Sequence, residues 1–361
     1  MARSRAFALV ELIVVIAIAA VLLALCLPAI ERSRRQASVR GDVSRLRLIG
    51  QASALYSADF QDRLFTFSWR PGEVPVTPNA QLAASCAQLL GNSGGDDTRA
   101  ATLQHLDLVS QLTDLRLIQP TSSLVASNFT PYVLYNHLVL AYYMGESLPS
   151  EVFLSQADAH RNAWVADPES YLLDPQGGDN PPPSSASDFV NLWRWAFSSS
   201  FMTGGSHYAP DFGPPATVGR VVSNRQWRMP SDPGLLGRRS MSEVAFPSAK
   251  VMMFDEYDRY TGPHGQYFGL RTARSIVSFY DGHVQRLPTR ESDFGFDPNQ
   301  PWVGSTKPDA PSVYYQYRPF KGWDPYGSQS QRVPVYYDQT RDGLQGVDFP
   351  QYANRRTIVS P

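Results

Sequence analysis

The stretch Phe7–Ile30, FALVELIVVIAIAAVLLALCLPAI, is apolar throughout except for one charged residue, Glu11. About 20 apolar residues in a helix, at a rise of about 1.5 Å per residue, cross the ~30 Å hydrocarbon core of a bilayer. The stretch therefore predicts a transmembrane helix over residues 7–30. A carboxylate inside such a helix costs about 2–3 kcal/mol or more to insert. We therefore expect a compensating partner for Glu11, which is the first candidate functional residue.

Three simpler interpretations of this stretch compete. A cleaved secretory signal has an apolar region of about 7–15 residues that ends in a small-x-small cleavage site. Here the run is longer and ends at Leu25-Cys26-Leu27-Pro28 with no Ala-x-Ala. A lipoprotein signal ending at Cys26 needs a small residue where the bulky Leu25 stands. A plain membrane anchor explains the length of the run but not Glu11.

The residues Ala6-Phe7-Ala8-Leu9-Val10-Glu11 resemble the N-terminus of type IV prepilins and type II secretion pseudopilins. In those proteins a small residue precedes the cut, an aromatic residue begins the mature chain, and a glutamate stands fifth from it. Glycine is the usual residue before the cut, and Ala6 takes its place here. The resemblance implies that a prepilin peptidase/methyltransferase cleaves between Ala6 and Phe7 and that Phe7 is N-methylated.

The resemblance also implies an assembly role for Glu11. The α-amine freed at Phe7, with a pKa near 8 in water, would pair with Glu11 of a neighbouring subunit. Removing one partner of such a desolvated pair costs about 3–5 kcal/mol, so Glu11 would fix the register of assembly. Pro28 removes one helical hydrogen bond and is expected to bend or loosen the helix near the membrane exit; the alternative is that it ends the helix.

Composition limits the possible functions. The net charge of −1 over 361 residues argues against a nucleic-acid surface. The 29 prolines, 25 glycines and 18 tyrosines indicate a loop-rich domain after the helix. Cys26 and Cys86 stand in different regions and are not expected to meet, so we predict neither a disulfide framework nor a Cys/His metal set. No cofactor is expected.

The charges around the apolar run bear on topology. Arg3 and Arg5 precede it, which places the N-terminus in the cytoplasm by the positive-inside rule. The basic residues after the run weaken this rule, but long domains translocate largely regardless of charge. We expect a single-pass protein of the bacterial inner membrane that is able to enter a filament, with its C-terminal domain extracytoplasmic.

The helix is expected to continue through residues 31–60. Val39, Val43 and Leu46 recur at helical spacing on one face, and Ile49, Ala52 and Tyr56 lie on an adjoining face. A lone amphipathic helix is marginal in water, so this half should pack on a sheet. The segment from Ile49 to Tyr56, I-G-x-A-x-x-x-Y, resembles a subgroup of prepilin-like proteins.

Four further helices are predicted. Periodicity places two at residues 81–90 and 98–117, within a sequence insertion. A third opens at Thr130-Pro131 and closes at Gly145, with His137 packed inside it. Its apolar face is expected to contain Leu134, Leu138, Ala141 and Tyr142. Residues 174–187 are predicted to be a loop, and residues 188–197 a short aromatic helix.

Within the globular part, residues 247–288 have the clearest pattern of strands and turns. Apolar runs at 250–255, 275–280 and 283–287 predict a three-stranded antiparallel sheet lying on the long helix. Asp281-Gly282 between the last two runs predicts a type I′ hairpin turn, which needs positive φ at both residues. Asp281 to Val284 also resemble the prepilin-associated segment in which a histidine precedes Asp-Gly-His-Val by nine residues. Arg271 stands at that histidine position.

The fold class that follows is α+β and pilin-like, with large loop-rich insertions. The predicted divisions are a leader at 1–6, a transmembrane helix at 7–30, its amphipathic continuation at 31–60, and an extracytoplasmic globular domain at 61–361. Within the last, residues 333–337 predict an extra hairpin. The aromatic residues near it form either a contact surface or the packing of a cap: Tyr314, Tyr315, Tyr317, Trp323 and Tyr326.

The sequence gives little indication of metal binding or catalysis. Asp255, Glu256 and Asp258, with His264, are weak calcium candidates, because calcium prefers several oxygen ligands. Their spacing does not match an EF-hand, Arg259 stands among them, and we predict no metal. The sequence has no catalytic elbow, P-loop, zinc-protease or dinucleotide motif, so we expect no enzyme.

The sequence is consistent with two functions. The first is a structural subunit of a type IV pilus-like or type II secretion pseudopilus-like filament, with other pilin subunits and the membrane as partners and no nucleic acid. The second is a membrane-anchored binding or display protein that uses the helix only for export and tethering. A tethered enzyme would require titratable groups with strongly shifted pKa values in one cleft.

Overall fold

The computed structural model describes residues 9–91, 97–113, 134–168, 197–209, 218–220, 228–230, 236–262, 265–295, 314–317 and 331–353. Contacts between residues divide the chain into two units, Met1–Gly41 and Asp42–Pro361. The following elements therefore belong to the second unit, apart from the first part of helix α1.

Helix α1 runs without interruption over Leu9–Asp59, which is 51 residues. This confirms the predicted long helix. Its end is set by Gln61 and Asp62, whose φ angles of 54° and 67° are left-handed. The amide of Asp62 donates to the carbonyl of Ser57 at 2.8 Å, so the last turn is closed as in a Schellman cap.

The second half of α1 buries one face. Leu46, Ile49 and Ala52 are buried as predicted, whereas Val39 and Val43 are only half-buried. The same buried face carries polar residues that the periodicity did not include, namely Asp42, Ser53 and Ser57.

The described residues contain four shorter α-helices: α2 (Ala80–Leu90), α3 (Asp97–Leu112), α4 (His137–Met144) and α5 (Ala159–Ala166). The first two confirm the predicted pair, although α3 ends at Leu112 and residues 114–117 lie outside the described residues. Residues 174–187, and residues 188–196 of the predicted aromatic helix, lie outside them too.

Helix α4 confirms the predicted end at Gly145, whose φ of 70° supplies the left-handed cap. Thr130 and Pro131 lie outside the described residues. The assignment of Tyr142 to the apolar face is wrong, because this side chain is 53% exposed. The buried part of α4 ends at Ala141, so the last turn of the helix faces solvent.

The described residues contain ten strands, all in antiparallel pairs. They are β1 (Phe201–Thr203), β2 (Val218–Arg220), β3 (Arg228–Pro230), β4 (Val251–Asp255), β5 (Tyr257–Asp258), β6 (Gln266–Tyr267), β7 (Arg274–Phe279), β8 (Val284–Pro288), β9 (Tyr314–Tyr317) and β10 (Gln331–Pro334). The main sheet has the order β1-β4-β7-β8. The predicted three strands are confirmed, and β1 is a fourth that the sequence did not reveal.

The turn between β7 and β8 differs from the predicted type I′. Only Gly282 has positive φ, at 86°, whereas a type I′ turn would require it at Asp281 too. The amide of Gly282 donates to the carbonyl of Phe279 at 2.9 Å, as in a type I turn followed by a left-handed glycine. The amide of Asp281 is held by the Pro247 carbonyl at 3.2 Å, which keeps that residue out of the left-handed region.

Both faces of the main sheet are covered. On one face α1 crosses β7, because a Cβ atom on Gly50 would lie 3.8 Å from Ser278 Oγ and 3.7 Å from Gly282 Cα. On the other face Phe279 packs against Phe349 and Tyr352, at ring-centroid distances of 5.7 and 5.9 Å. The predicted sheet-on-helix arrangement is confirmed, and residues 331–353 form a second cover.

This second cover contributes residues to the core of the second unit. Val333, Tyr336 and Tyr337 are buried. The hairpin predicted at residues 333–337 is found only in part, because residues 333 and 334 end strand β10, which pairs with β9, whereas Tyr336–Gln339 form a 3-10 helix. Asp348 is also buried, accepts from the Val251 amide at 2.8 Å and pairs with Lys250 at 3.4 Å. The C-terminal segment is therefore tied to β4.

Candidate functional site

The apolar half of α1 is exposed along its length. Every large apolar side chain from Leu12 to Ile30 is at least 47% exposed. By length and composition, α1 is able to cross a membrane. Apolar surface this extensive is costly in water, so the segment needs a lipid or protein environment.

The structure describes some of the predicted cleavage and assembly residues and not others. Ala6 and Phe7 lie outside the described residues, and Glu11 lies in α1 with its side chain outside the described part. Pro28 lies inside the helix, which removes the alternative that it ends the helix there. Cleavage, methylation and the pairing of Glu11 therefore remain predictions.

The cysteines do not pair. Cys26 is exposed on α1 and Cys86 is buried in α2, and both are free thiols. Burial, followed by the nearby charge of Asp107, raises the pKa of the Cys86 thiol to about 11.

A second acid on α1 fixes the helix to the rest of its unit. Asp42 is fully buried and accepts hydrogen bonds from Ser155 Oγ at 2.6 Å, from the Gln156 amide at 2.8 Å and from the Tyr260 hydroxyl. Burial, followed by the charge of Asp42, raises the pKa of the Tyr260 hydroxyl, so that group keeps its proton and donates. The carboxylate of Asp42 is thus the acceptor at the centre of this contact.

Arg45, one turn after Asp42, supports the same contact. It donates to the Leu154 carbonyl at 2.6 Å and meets the Glu151 carboxylate at 3.3 Å. The carbonyl bond is the more significant of the two, because Glu151 is 69% exposed and surface ion pairs contribute little.

Sequence reasoning missed Asp42, although a signal was present. Asp42 precedes Leu46 by four positions and Ile49 by seven, so it lies on the buried stripe of α1. An acid at a buried helical position needs hydrogen-bond partners. The sequence could not indicate that these partners are residues 155, 156 and 260.

Next to this contact lies a buried network of charges. Asp158 pairs with Arg161 at 2.8 Å and with Arg259 at 2.9 Å, and accepts from the Ser200 hydroxyl at 2.8 Å. Burial alone would raise the pKa of Asp158, but the two guanidinium groups and Ser200 hold it well below its usual value. Asp158 is therefore ionised and joins α5 to the residues before β1 and after β5.

The calcium candidates belong largely to this network. Burial raises the pKa of Asp255 to about 8 despite Arg259, whose Nε lies 3.3 Å away. Asp258 pairs with Arg286 at 2.8 Å and accepts from the Arg274 amide at 2.8 Å. Glu256 is buried, and His264 lies outside the described residues. Within the described ranges, no three His, Cys, Asp or Glu residues are grouped so as to hold a metal ion.

His137 is packed, as expected. It is 3% exposed and lies 4.9 Å from the ring of Phe153, while His105 lies 4.4 Å from the ring of Tyr135. Burial lowers the pKa of each histidine to about 3. Both are therefore neutral in the folded protein near pH 7.

The residues of the Asp-Gly-His-Val segment form a local cluster at the hairpin. His283 stacks on Phe279 with a centroid distance of 4.0 Å, and its Nδ1 lies 2.5 Å from Asp281. Arg271, at the position of the histidine in the resembling segment, is exposed. A different histidine, His207, lies behind the hairpin, with Nδ1 2.9 Å from the Tyr280 hydroxyl.

Comparison with known proteins finds one match. The family described as the prokaryotic N-terminal methylation motif matches residues 1–27. This match confirms the resemblance to prepilins and pseudopilins and identifies the N-terminal region as a prepilin-type segment. No curated protein and no solved structure matches the chain.

Proposed function

We propose that the chain is a structural subunit of a type IV pilus-like or type II secretion pseudopilus-like filament, and not an enzyme. A prepilin peptidase/methyltransferase removes residues 1–6 and methylates Phe7, and the mature subunits pack through α1. The observation that carries the proposal is the methylation motif at residues 1–27, continuous with an apolar helix whose side chains are exposed.

The proposed organisation follows from the same helix. Residues 7–30 cross the bacterial inner membrane once, with the N-terminus in the cytoplasm. Residues 31–60 continue the helix, and residues 61–361 form the extracytoplasmic domain. Before assembly, the apolar surface of α1 faces lipid. In the filament, the α1 helices of other subunits cover that surface, and the close packing between helices replaces the contacts with lipid.

Photo-crosslinking in cells tests this assembly. A photoreactive residue at Ile16, which is 58% exposed, is expected to give dimers and larger adducts of the full chain. Glu11→Ala should keep the protein in the membrane but lower the adduct yield about tenfold or more, since an unpaired buried amine costs about 3–5 kcal/mol. Glu31→Ala, on the exposed part of α1, is the matched control and should change nothing. Adducts that are unaffected by Glu11→Ala would contradict the pairing role.

The second candidate is an anchored binding or display protein. The size of the second unit, Asp42–Pro361, favours this candidate, because the methylation motif covers only residues 1–27 and assigns no role to that unit. Monomers in the same crosslinking experiment, with cleavage intact, would support display over assembly.

A further inference from the structure

A pocket of about 490 Å³ opens where α1 ends. We name it the α1-end pocket. The residues that define it are Tyr56, Asp59, Phe60, Arg63, Arg70 and Arg238. Its volume lies in the range of roughly 300–1,000 Å³ that is typical of small-molecule sites.

The pocket carries an excess of positive charge. Arg63 and Arg238 are exposed and form no ion pair with any residue in the described part of the chain. Arg70 is already engaged, 3.6 Å from the buried Asp97. The Asp59 carboxylate accepts from the Tyr143 hydroxyl at 2.5 Å. Two guanidinium groups without an ion pair in the described residues and one carboxylate therefore line the pocket, which leaves a net positive charge among them. Guanidinium is suited to bidentate binding of a carboxylate.

One wall of the pocket is aromatic. Phe60 is 48% exposed and stacks on Tyr56 at a centroid distance of 4.4 Å, and Tyr143 meets Tyr56 edge-on at 5.5 Å. This contact holds the rings in place, and the exposed face of Phe60 is free to receive a ligand. Aromatic faces carry partial negative charge, so they attract the C–H groups on the face of a sugar ring.

The rim beside the aromatic wall is fixed in an unfavourable conformation. Gln61 lines the pocket, and both it and Asp62 have positive φ without being glycine. Such residues cluster at ligand sites. The conformation is held by the Asp62 carbonyl, which accepts from the Met241 amide at 2.8 Å, and by its carboxylate, which accepts from the Ser242 amide at 3.0 Å. The rim is therefore preorganised.

We propose that the α1-end pocket binds an acidic sugar residue. Arg63 and Arg238 bind the carboxylate, and the sugar ring lies on Phe60. Ser68, which also lines the pocket and is exposed, offers its hydroxyl group to the sugar. A partly open pocket of about 490 Å³ with mixed aromatic, hydroxyl and guanidinium lining suits a single sugar residue better than an extended acidic peptide. The proposal does not depend on filament assembly.

Calorimetry on the full chain in detergent tests this proposal. The probe is trigalacturonate, the uncharged match is maltotriose, and the peptide alternative is penta-glutamate. We expect trigalacturonate to bind and maltotriose to bind at least about tenfold more weakly, because a hydrogen bond to a charged group contributes about 1.5–3 kcal/mol.

Variants separate the two parts of the site. Arg63→Gln and Arg238→Gln should each weaken trigalacturonate binding about tenfold or more. Phe60→Ala should weaken it too, whereas Arg271→Gln, an exposed arginine outside the pocket, is the control and should not. The proposal is overturned if trigalacturonate does not bind, if penta-glutamate binds as tightly, or if Phe60→Ala has no effect.

Discussion

Asp42 shows how one side chain can decide where a long helix is attached. Its carboxylate is the shared acceptor for a serine hydroxyl, a backbone amide and a tyrosine hydroxyl, all in a fully buried contact. Removing it leaves these donors without an acceptor in the protein interior, where an unsatisfied polar group costs about 1–3 kcal/mol.

We expect Asp42→Ala to lower the free energy of unfolding of the full chain by about 3 kcal/mol or more, because hydrogen bonds to a charged group contribute about 1.5–3 kcal/mol each. Denaturant titration in detergent measures the change. Glu151→Ala, which removes the exposed ion pair with Arg45, is the control and should stay within about 1 kcal/mol. Equal losses in the two variants would contradict the assigned role of Asp42.

The two acids of α1 also show what a sequence can reveal about single residues. Glu11 could be recognised because its neighbours in the chain are all apolar. For Asp42 the spacing to Leu46 and Ile49 indicates a buried position but not its partners, which are 113, 114 and 218 residues away in the chain. A charged residue among apolar neighbours can be recognised in a sequence, whereas hydrogen bonds to residues far away in the chain cannot.

At the scale of elements, α1 and the main sheet depend on a close approach at Gly50. A methyl group at this position would make ordinary contacts, at 3.7 Å to Gly282 Cα and 3.8 Å to Ser278 Oγ. A longer side chain has no space, since it would have to enter the sheet or the hairpin turn.

Two substitutions at Gly50 should therefore have opposite effects. Gly50→Ala should stabilise the protein by up to about 1 kcal/mol, because alanine favours a helix over glycine by about that amount. Gly50→Leu should destabilise it by about 1–3 kcal/mol through overpacking. Thermal unfolding of the two variants side by side measures the difference. A leucine variant as stable as the alanine variant would show that α1 does not lie against β7.

Elements with strong local patterns could be predicted, and those defined by distant partners could not. The strands β4, β7 and β8 were predicted from apolar runs and an Asp-Gly turn. β1 has only three residues and pairs with β4 about fifty positions later, so its sequence gives no strand signal. The turn type was wrong because the Asp281 amide is held by Pro247, a contact outside the hairpin.

At the scale of the whole molecule, buried histidines link stability to pH. Burial lowers the pKa of His105 and His137 to about 3 and that of His207 to about 4, against about 6.5 in an unfolded chain. Between these values the unfolded chain binds more protons, so stability falls as pH falls from about 6.5 to 4. Asp255, with its pKa raised to about 8, acts in the opposite direction, losing its contribution as pH rises from about 4 to 8.

Burial also raises the pKa values of Asp107 and Asp348, which act in the same direction as Asp255, but hydrogen bonds to both carboxylates and the charge of Lys250 beside Asp348 counteract that effect. We therefore expect the three histidines to dominate and the free energy of unfolding to decrease from pH 6.5 to pH 4. Denaturant titrations of the full chain at several pH values measure this. His137→Phe should flatten the dependence, since it removes one proton uptake worth up to about 1.4 kcal/mol per pH unit. Stability that is constant or rises on acidification would contradict the assignment of neutral buried histidines.

The comparisons cover only the N-terminal 27 residues, whereas the second unit begins at Asp42. The prepilin character of the N-terminus could be predicted from residues 6–11. The α1-end pocket could not, because Arg63 and Arg238 are separated in the chain and only the fold places both in the lining of one pocket.

Mass spectrometry of the mature N-terminus tests the central claim most directly. The protein is isolated from membranes of cells that contain the prepilin peptidase, and its N-terminal peptide is sequenced. The account predicts a chain that begins at Phe7 and carries one N-methyl group. A chain that retains Met1, begins at another residue, or has an unmodified Phe7 would contradict it.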